Sequence, residues 1–192
     1  MLNKNVCVIM KKVIPVLIAI FLLAACAVEE TEEIVEEYPQ VDQAVAVVHP
    51  TDGNVTSGIV TFTQTDEGVL VEATISGLEP ESLHGFHIHE YGDCRAADGT
   101  SAGGHYDPTD MPHAAPTDEE RHMGDMGNLP AGEDGIATLE YVDEKIVLSG
   151  VNSILGYAVI VHADKDDLTS QPTGDAGPRL GCGVIGVANP EL

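Results

Sequence analysis

From Gln43 onward the chain is a succession of short β-rich runs cut by turn residues. Residues 44–49, 59–65, 69–76, 136–142, 156–162 and 183–187 are such runs, and Asp66-Glu67-Gly68 and Glu133-Asp134-Gly135 are turn signals between them. Gly is frequent at 20 residues, Val and Thr recur, and Leu and Lys are sparse, a mixture that favours strands and turns. Several short strands at this spacing predict an all-β domain, an antiparallel sandwich or barrel. At 192 residues the chain holds one well-buried domain and has no room for a comfortable second one.

Two stretches break the pattern. Residues 90–129 carry little strand or helix signal and are rich in Gly, Asp, Pro and His, and residues 163–177 are polar and long for a hairpin. An irregular segment of about forty residues inside a compact domain is functional or disordered, and its histidines decide which. His87, His89, His105, His113, His122 and His162 lie in this stretch or beside its edges. On a strand, His87 and His89 project from one face while Phe86 and Ile88 turn to the other, which makes half of a metal site. His122 and Asp125 stand three apart with Gly124 between them, so one turn can aim both at the same ion. Imidazole suits copper and zinc, and a carboxylate added to histidines is a common way to complete tetrahedral zinc.

The formal charge is −24, from 32 acidic against 8 basic residues, and a surface so negative repels phosphate backbones. Nucleic acid is therefore not an expected partner. The N-terminus places Lys4, Lys11 and Lys12 before an apolar run over residues 13–25, interrupted by Pro15, and Cys26 follows at once. That layout is a signal peptide, too short to cross the ~30 Å hydrocarbon core as a permanent helix. Leu23-Ala24-Ala25-Cys26 resembles the bacterial lipobox, which implies cleavage before Cys26 and acylation of its thiol. Two acyl chains give stable anchoring. The expected division is a leader over 1–25, a lipidated acidic linker over 26–42 and a folded domain over 43–192. Cleavage removes three lysines and no acid, taking the formal charge to −27. The linker, with Glu29, Glu30, Glu32, Glu33, Glu36 and Glu37, is read as a self-repelling spacer.

The segments Gly85-Phe86-His87-Ile88-His89-Glu90, Gly104-His105-Tyr106-Asp107-Pro108, Arg121-His122-Met123-Gly124-Asp125-Met126-Gly127-Asn128 and Gly181-Cys182-Gly183-Val184-Ile185-Gly186 closely resemble the copper-zinc superoxide dismutases. The resemblance covers residues 43–188, and the steps from His105 to His113, His122 and Asp125 agree at eight, nine and three residues. It implies a Greek-key barrel of about eight strands with long metal-binding and electrostatic loops. It also implies copper on His87, His89, His105 and His162, and zinc on His105, His113, His122 and Asp125, with His105 bridging the two ions. Asp166 matches the aspartate that orients a histidine of each set, although the adjacent Asp167 could serve instead. Arg179 matches the arginine that guides the anion, and Lys165 is a second candidate cation. Cys94 and Cys182 match the family's disulfide. His49 and His84 fall outside the ligand pattern and are read as structural or surface residues.

The implied activity is disproportionation of superoxide to oxygen and peroxide by copper redox cycling, in the periplasm or on the cell surface. A noncatalytic metal buffer and a purely structural sandwich are the competing readings, and neither explains a complete ligand set together with the arginine. The family contains both monomers and homodimers, so the sequence leaves the oligomeric state open.

Overall fold

In a computed structural model of the chain, which describes residues 38–191, the period of two along each strand decides what is buried. The expected leader, Cys26 and most of the expected linker lie outside the described residues. β1 (Gln43–Pro50) turns Ala44, Ala46 and Val48 inward and leaves Val47 and His49 exposed. β2 (Ser57–Thr65) buries Val60 and Phe62, and β3 (Gly68–Ser76) buries Val69, Val71, Ala73 and Ile75. β4 (Leu83–His89), β5 (Asp125–Pro130), β6 (Ala137–Asp143), β7 (Ala158–His162) and β8 (Arg179–Val187) complete the set.

These strands form one antiparallel sheet in the order β5-β4-β7-β8-β1-β2-β3-β6. The sheet curls until its edge strands β5 and β6 meet at one end through the Ala131–Ala137 bridge, giving a nearly closed Greek-key barrel. Its interior is filled by Phe62, Phe86, Ile75, Ile88, Leu129, Ile146, Leu148, Ile154 and Ile185, each almost fully buried. Every such side chain contributes ~1.5–3 kcal/mol relative to exposure.

β4 departs from simple alternation, because six of its seven residues are buried. Phe86 and Ile88 face the barrel core, while the opposite face, carrying His87 and His89, is covered by the irregular segments. Two boundaries differ from the sequence reading. β5 lies inside the stretch expected to be irregular, which also contains a 3-10 turn at Thr100–Ala102. Asp125-Met126-Gly127-Asn128-Leu129-Pro130 reads as a turn, and it is extended because it is an edge strand paired only with β4, across a register shift between Gly85 and His87. β8 starts at Arg179 rather than at Gly183. There Gly181 lies so close to β1 that an added Cβ would stand 2.7 Å from Val48 Cγ1.

Cys94, in the irregular stretch, is disulfide-bonded to Cys182 in the middle of β8 across 88 residues. Around the bond Ala102, Ala158, Ile160 and Cys182 form a small buried cluster that fastens the turn at Thr100–Ala102 to β7 and β8. Chain-entropy reasoning assigns a loop of that length ~4–5 kcal/mol. Urea unfolding of a Cys94→Ser, Cys182→Ser variant is expected to show a loss of that order, and a loss below ~1 kcal/mol would mean the loop is held by other contacts.

Candidate metal centre

The covered face of β4 meets β7 and the irregular stretch in two groups of ligand atoms. His87, His89, His105 and His162 form one group, and His105, His113, His122 and Asp125 form the other. In each group the ligand atoms lie within 4.8 Å of one another, and every residue is buried. His105 belongs to both. The first group stands largely on strands: His87 and His89 come from β4, and His162 ends β7. The second group comes from the irregular stretch, with Asp125 at the start of β5.

The outer nitrogens of the first group are all bound. His89 Nδ1–H donates to the Gly103 carbonyl at 2.9 Å, His162 Nδ1–H donates to the Gly177 carbonyl at 3.1 Å, and His87 Nε2–H donates to Asp166 Oδ2 at 2.7 Å. Those bonds fix the tautomers, so His89 Nε2, His162 Nε2 and His87 Nδ1 carry lone pairs. The two Nε2 atoms face each other at 3.3 Å with no proton to share. His87 Nδ1 and His105 Nε2 are buried without any partner. Converging, desolvated lone pairs repel one another, and a cation is what satisfies them.

The second group converges on a single oxygen. Asp125 Oδ1 lies 2.7 Å from His105 Nδ1, 2.9 Å from His113 Nδ1 and 3.3 Å from His122 Nδ1, and this last nitrogen is buried with no hydrogen bond of its own. Asp125 Oδ2 is fixed by the backbone N–H groups of Ala114 and His122. Three nitrogens and one carboxylate oxygen are the donor set of tetrahedral zinc, whose ligand atoms at ~2.0–2.1 Å from the metal stand roughly 3.3 Å apart.

Electrostatics separates the groups. Burial, only partly offset by the hydrogen bond to Asp166, pulls the His87 imidazole down to about 3. Burial lowers His162 to about 4 and takes His89 well below its ordinary value, and it lowers His105 as well. These rings are neutral at pH 7, the form that binds a metal. His113 behaves oppositely: burial lowers it, but hydrogen bonds to Asp125 and Asp166 outweigh burial and set it at about 9. Both carboxylates would be raised by burial, yet their histidine partners hold them well below the usual range. Without metal, a proton thus sits among Asp125, His113 and Asp166, and a metal displaces it.

Asp166 joins the two groups, since its Oδ2 accepts from His87 and its Oδ1 accepts from His113 Nε2–H at 3.0 Å. Asp167 instead is exposed and caps the backbone of Thr169 and Ser170. Arg179 donates to the Gly99 and Gly103 carbonyls, and Gly103 is also the acceptor for His89, so the guanidinium stands beside the first group. Lys165 and His49 are exposed. His84 is buried, with Nδ1–H donating to the carbonyl of His162 at 2.9 Å and Nε2 facing Ser82 Oγ.

Two contributors escaped the sequence reading although both stand in a quoted motif. The buried Arg121 forms a two-pronged ion pair with Asp143 at 2.7 Å and donates to the carbonyls of His122, Met123 and Asp125, gripping the turn that carries two ligands. Asn128 holds both main-chain groups of Asp166, donating to its carbonyl at 2.9 Å and accepting from its N–H at 2.8 Å. No sequence period marks either tie, because the partners lie 22 and 38 residues away.

An eight-stranded antiparallel barrel with two buried metal-ligand groups sharing one imidazole defines a dinuclear metalloprotein. The family model described as copper/zinc superoxide dismutase (SODC) matches residues 56–185. The chain is also 43% identical over 155 residues to the extracellular superoxide dismutase [Cu-Zn] of Brugia pahangi, covering 76% of each chain. The protein belongs to the copper-zinc superoxide dismutase family. It is an oxidoreductase that uses copper and zinc to disproportionate superoxide, and the donor sets described above fit both ions.

Because Asp166 orients one ring of each group, Asp166→Asn is expected to weaken both metals by ~10–100-fold. Chelator competition followed for each metal separately checks this, and a loss confined to one metal would count against the shared role.

Proposed function

We propose that His87, His89, His105 and His162 hold copper, that His105, His113, His122 and Asp125 hold zinc, and that the enzyme works outside the cytoplasm. The observation that carries the division is the donor chemistry. One group is all imidazole, which suits copper, and the other adds a carboxylate to three imidazoles, which suits zinc.

Copper held by the first group would supply a one-electron redox couple, and zinc held by the second a fixed structural charge. Two superoxide anions and two protons give one oxygen and one hydrogen peroxide. Arg179 binds and orients the anion, its guanidinium anchored by the Gly99 and Gly103 carbonyls. His105 Nε2, buried and free of hydrogen bonds, is the atom that takes up and releases a proton between the two half-reactions. Asp166 keeps the His87 and His113 rings in the tautomers that turn Nδ1 toward the metals. With a formal charge of −24, attraction of superoxide is a local effect of the site, where Arg179 stands.

The fully loaded enzyme is expected to consume superoxide rapidly and in a cyanide-sensitive manner, and His89→Ala to abolish this. Arg179→Ala is expected to keep both metals and lose about tenfold in kcat/KM, with Arg179→Lys partly rescuing it. Metal binding without activity in the wild-type chain would leave the metal-buffer reading standing.

The export leader over 1–25, acylation at Cys26, the spacer over 26–42 and the enzyme domain over 43–192 make a membrane-tethered enzyme. The relative named extracellular supports the exterior location. A homodimer is supported by an apolar stripe on the outer face, where Val184 in β8, Val47 in β1 and Ile59 in β2 are 44%, 48% and 52% exposed on three adjacent strands. Cys26→Ser is expected to move the enzyme from the membrane to the soluble fraction, and Val184→Lys to convert a sedimenting dimer to monomer. Unchanged fractionation or an unchanged sedimentation coefficient would remove the anchor or the interface, respectively.

A further inference from the structure

His113 sits in an irregular run with no regular backbone pairing. The run's N–H groups are taken up by side chains instead: Met111 by Asp107 Oδ2 at 2.8 Å, His113 by Gln171 Oε1 at 2.9 Å, Ala114 by Asp125 Oδ2 at 3.1 Å and Ala115 by Asp118 Oδ2 at 3.2 Å. Pro112 has no N–H to place. Asp107 and Asp118 belong to the same irregular stretch and fix the run only relative to itself, while Asp125, at the start of β5, ties Ala114 to the edge of the sheet. Gln171 comes from the segment 163–177, 58 residues further along. Its amide closes a second bond, Nε2–H donating to the His113 carbonyl at 2.8 Å, so one side chain satisfies both main-chain groups of His113 as a neighbouring strand would.

The same segment also holds the ring of His113, through Asp166 Oδ1. Gly174 lies so close to that pair that an added Cβ would stand 2.6 Å from His113 Nε2. Nδ1 of His113 is thereby located from two points on one segment, ring and backbone, five residues apart in sequence.

We infer that Gln171 is a positioning residue for the zinc site, clamping the backbone of His113 to the 163–177 segment and so setting the zinc affinity without setting that of copper. The inference rests on the zinc assignment proposed above. Its selectivity follows from the contacts. Asp166 touches a histidine of each group, whereas the bonds of Gln171 reach only His113 and Thr169. The copper histidines stand on β4 and β7, apart from the shared His105, and do not depend on the clamp for their backbone positions.

The test uses the full chain with Gln171→Met, which keeps the length of the side chain and removes both bonds, and Gln171→Glu, which keeps the acceptor for the His113 N–H and loses the donor. Zinc and copper affinities are measured separately by chelator competition, and Co(II) placed in the zinc site reports its geometry through the visible spectrum. Gln171→Met is expected to weaken zinc about tenfold, shift the Co(II) bands and leave copper within twofold, with Gln171→Glu intermediate. Unchanged zinc affinity in both variants, or equal losses of zinc and copper, would overturn the clamp. Asp125→Ala in the wild-type background separates the two levels: if it leaves the Co(II) spectrum intact, the zinc assignment fails, and the clamp with it.

Discussion

Six imidazoles and two carboxylates are buried within a few ångströms of one another on the outer face of β4, and the protein's own hydrogen bonds cannot satisfy them all. Facing lone pairs on His89 and His162, the bare nitrogens of His87 and His105, and the His122 Nδ1 that stands 3.3 Å from Asp125 Oδ1 without a hydrogen bond are each unfavourable in a desolvated site. Two cations held by the two groups would take these atoms as ligands. The barrel interior, with its close-packed Ile, Leu and Phe, depends only on hydrophobic burial.

That division explains how the two groups are built. Three of the four first-group histidines stand on strands whose backbone bonds are already made, so the sheet itself holds their positions. The second group sits on irregular chain, where ligand positions must come from other ties. The disulfide fastens one end of the stretch to β8, Arg121 and Asp143 fasten the turn before β5, and Asp166, itself held by Asn128, reaches back to His113. Each tie joins residues far apart in sequence. Together they replace the ladder that an irregular segment lacks.

The same distinction governs what could be read from the chain. A period of two set the faces of β1, β2 and β3, and the placement of His87 against Phe86 follows from it directly. β5 was illegible because edge strands tolerate Gly, Asn and Pro, so its residues look like a turn. The roles of Arg121 and Asn128 were illegible for another reason. A side chain bonded to distant main-chain groups needs only a donor or acceptor at the right place, and it leaves no periodicity or spacing behind. The choice between Asp166 and Asp167 illustrates the limit: adjacent and chemically identical, they separate only once the fold turns one inward and leaves the other capping the next turn.

Charge poses the remaining physical problem, since an enzyme with a formal charge of −24 must attract an anion. At physiological salt, exposed charges are screened beyond ~8 Å, so the acids on the far side of the barrel are largely invisible to superoxide at the site mouth. On the role proposed for Arg179, the anion meets there a half-buried guanidinium, with the exposed Asp98 as its acidic neighbour. Partial burial strengthens the arginine's pull on an anion beside it, while solvent weakens the opposing effect of Asp98. The Gly103 carbonyl, shared by Arg179 and His89, places that charge next to the first group of histidines. On the proposed roles of Arg179 and His89, steering and chemistry are tied to one backbone group, and an excess of acid elsewhere serves solubility without closing the site to its substrate.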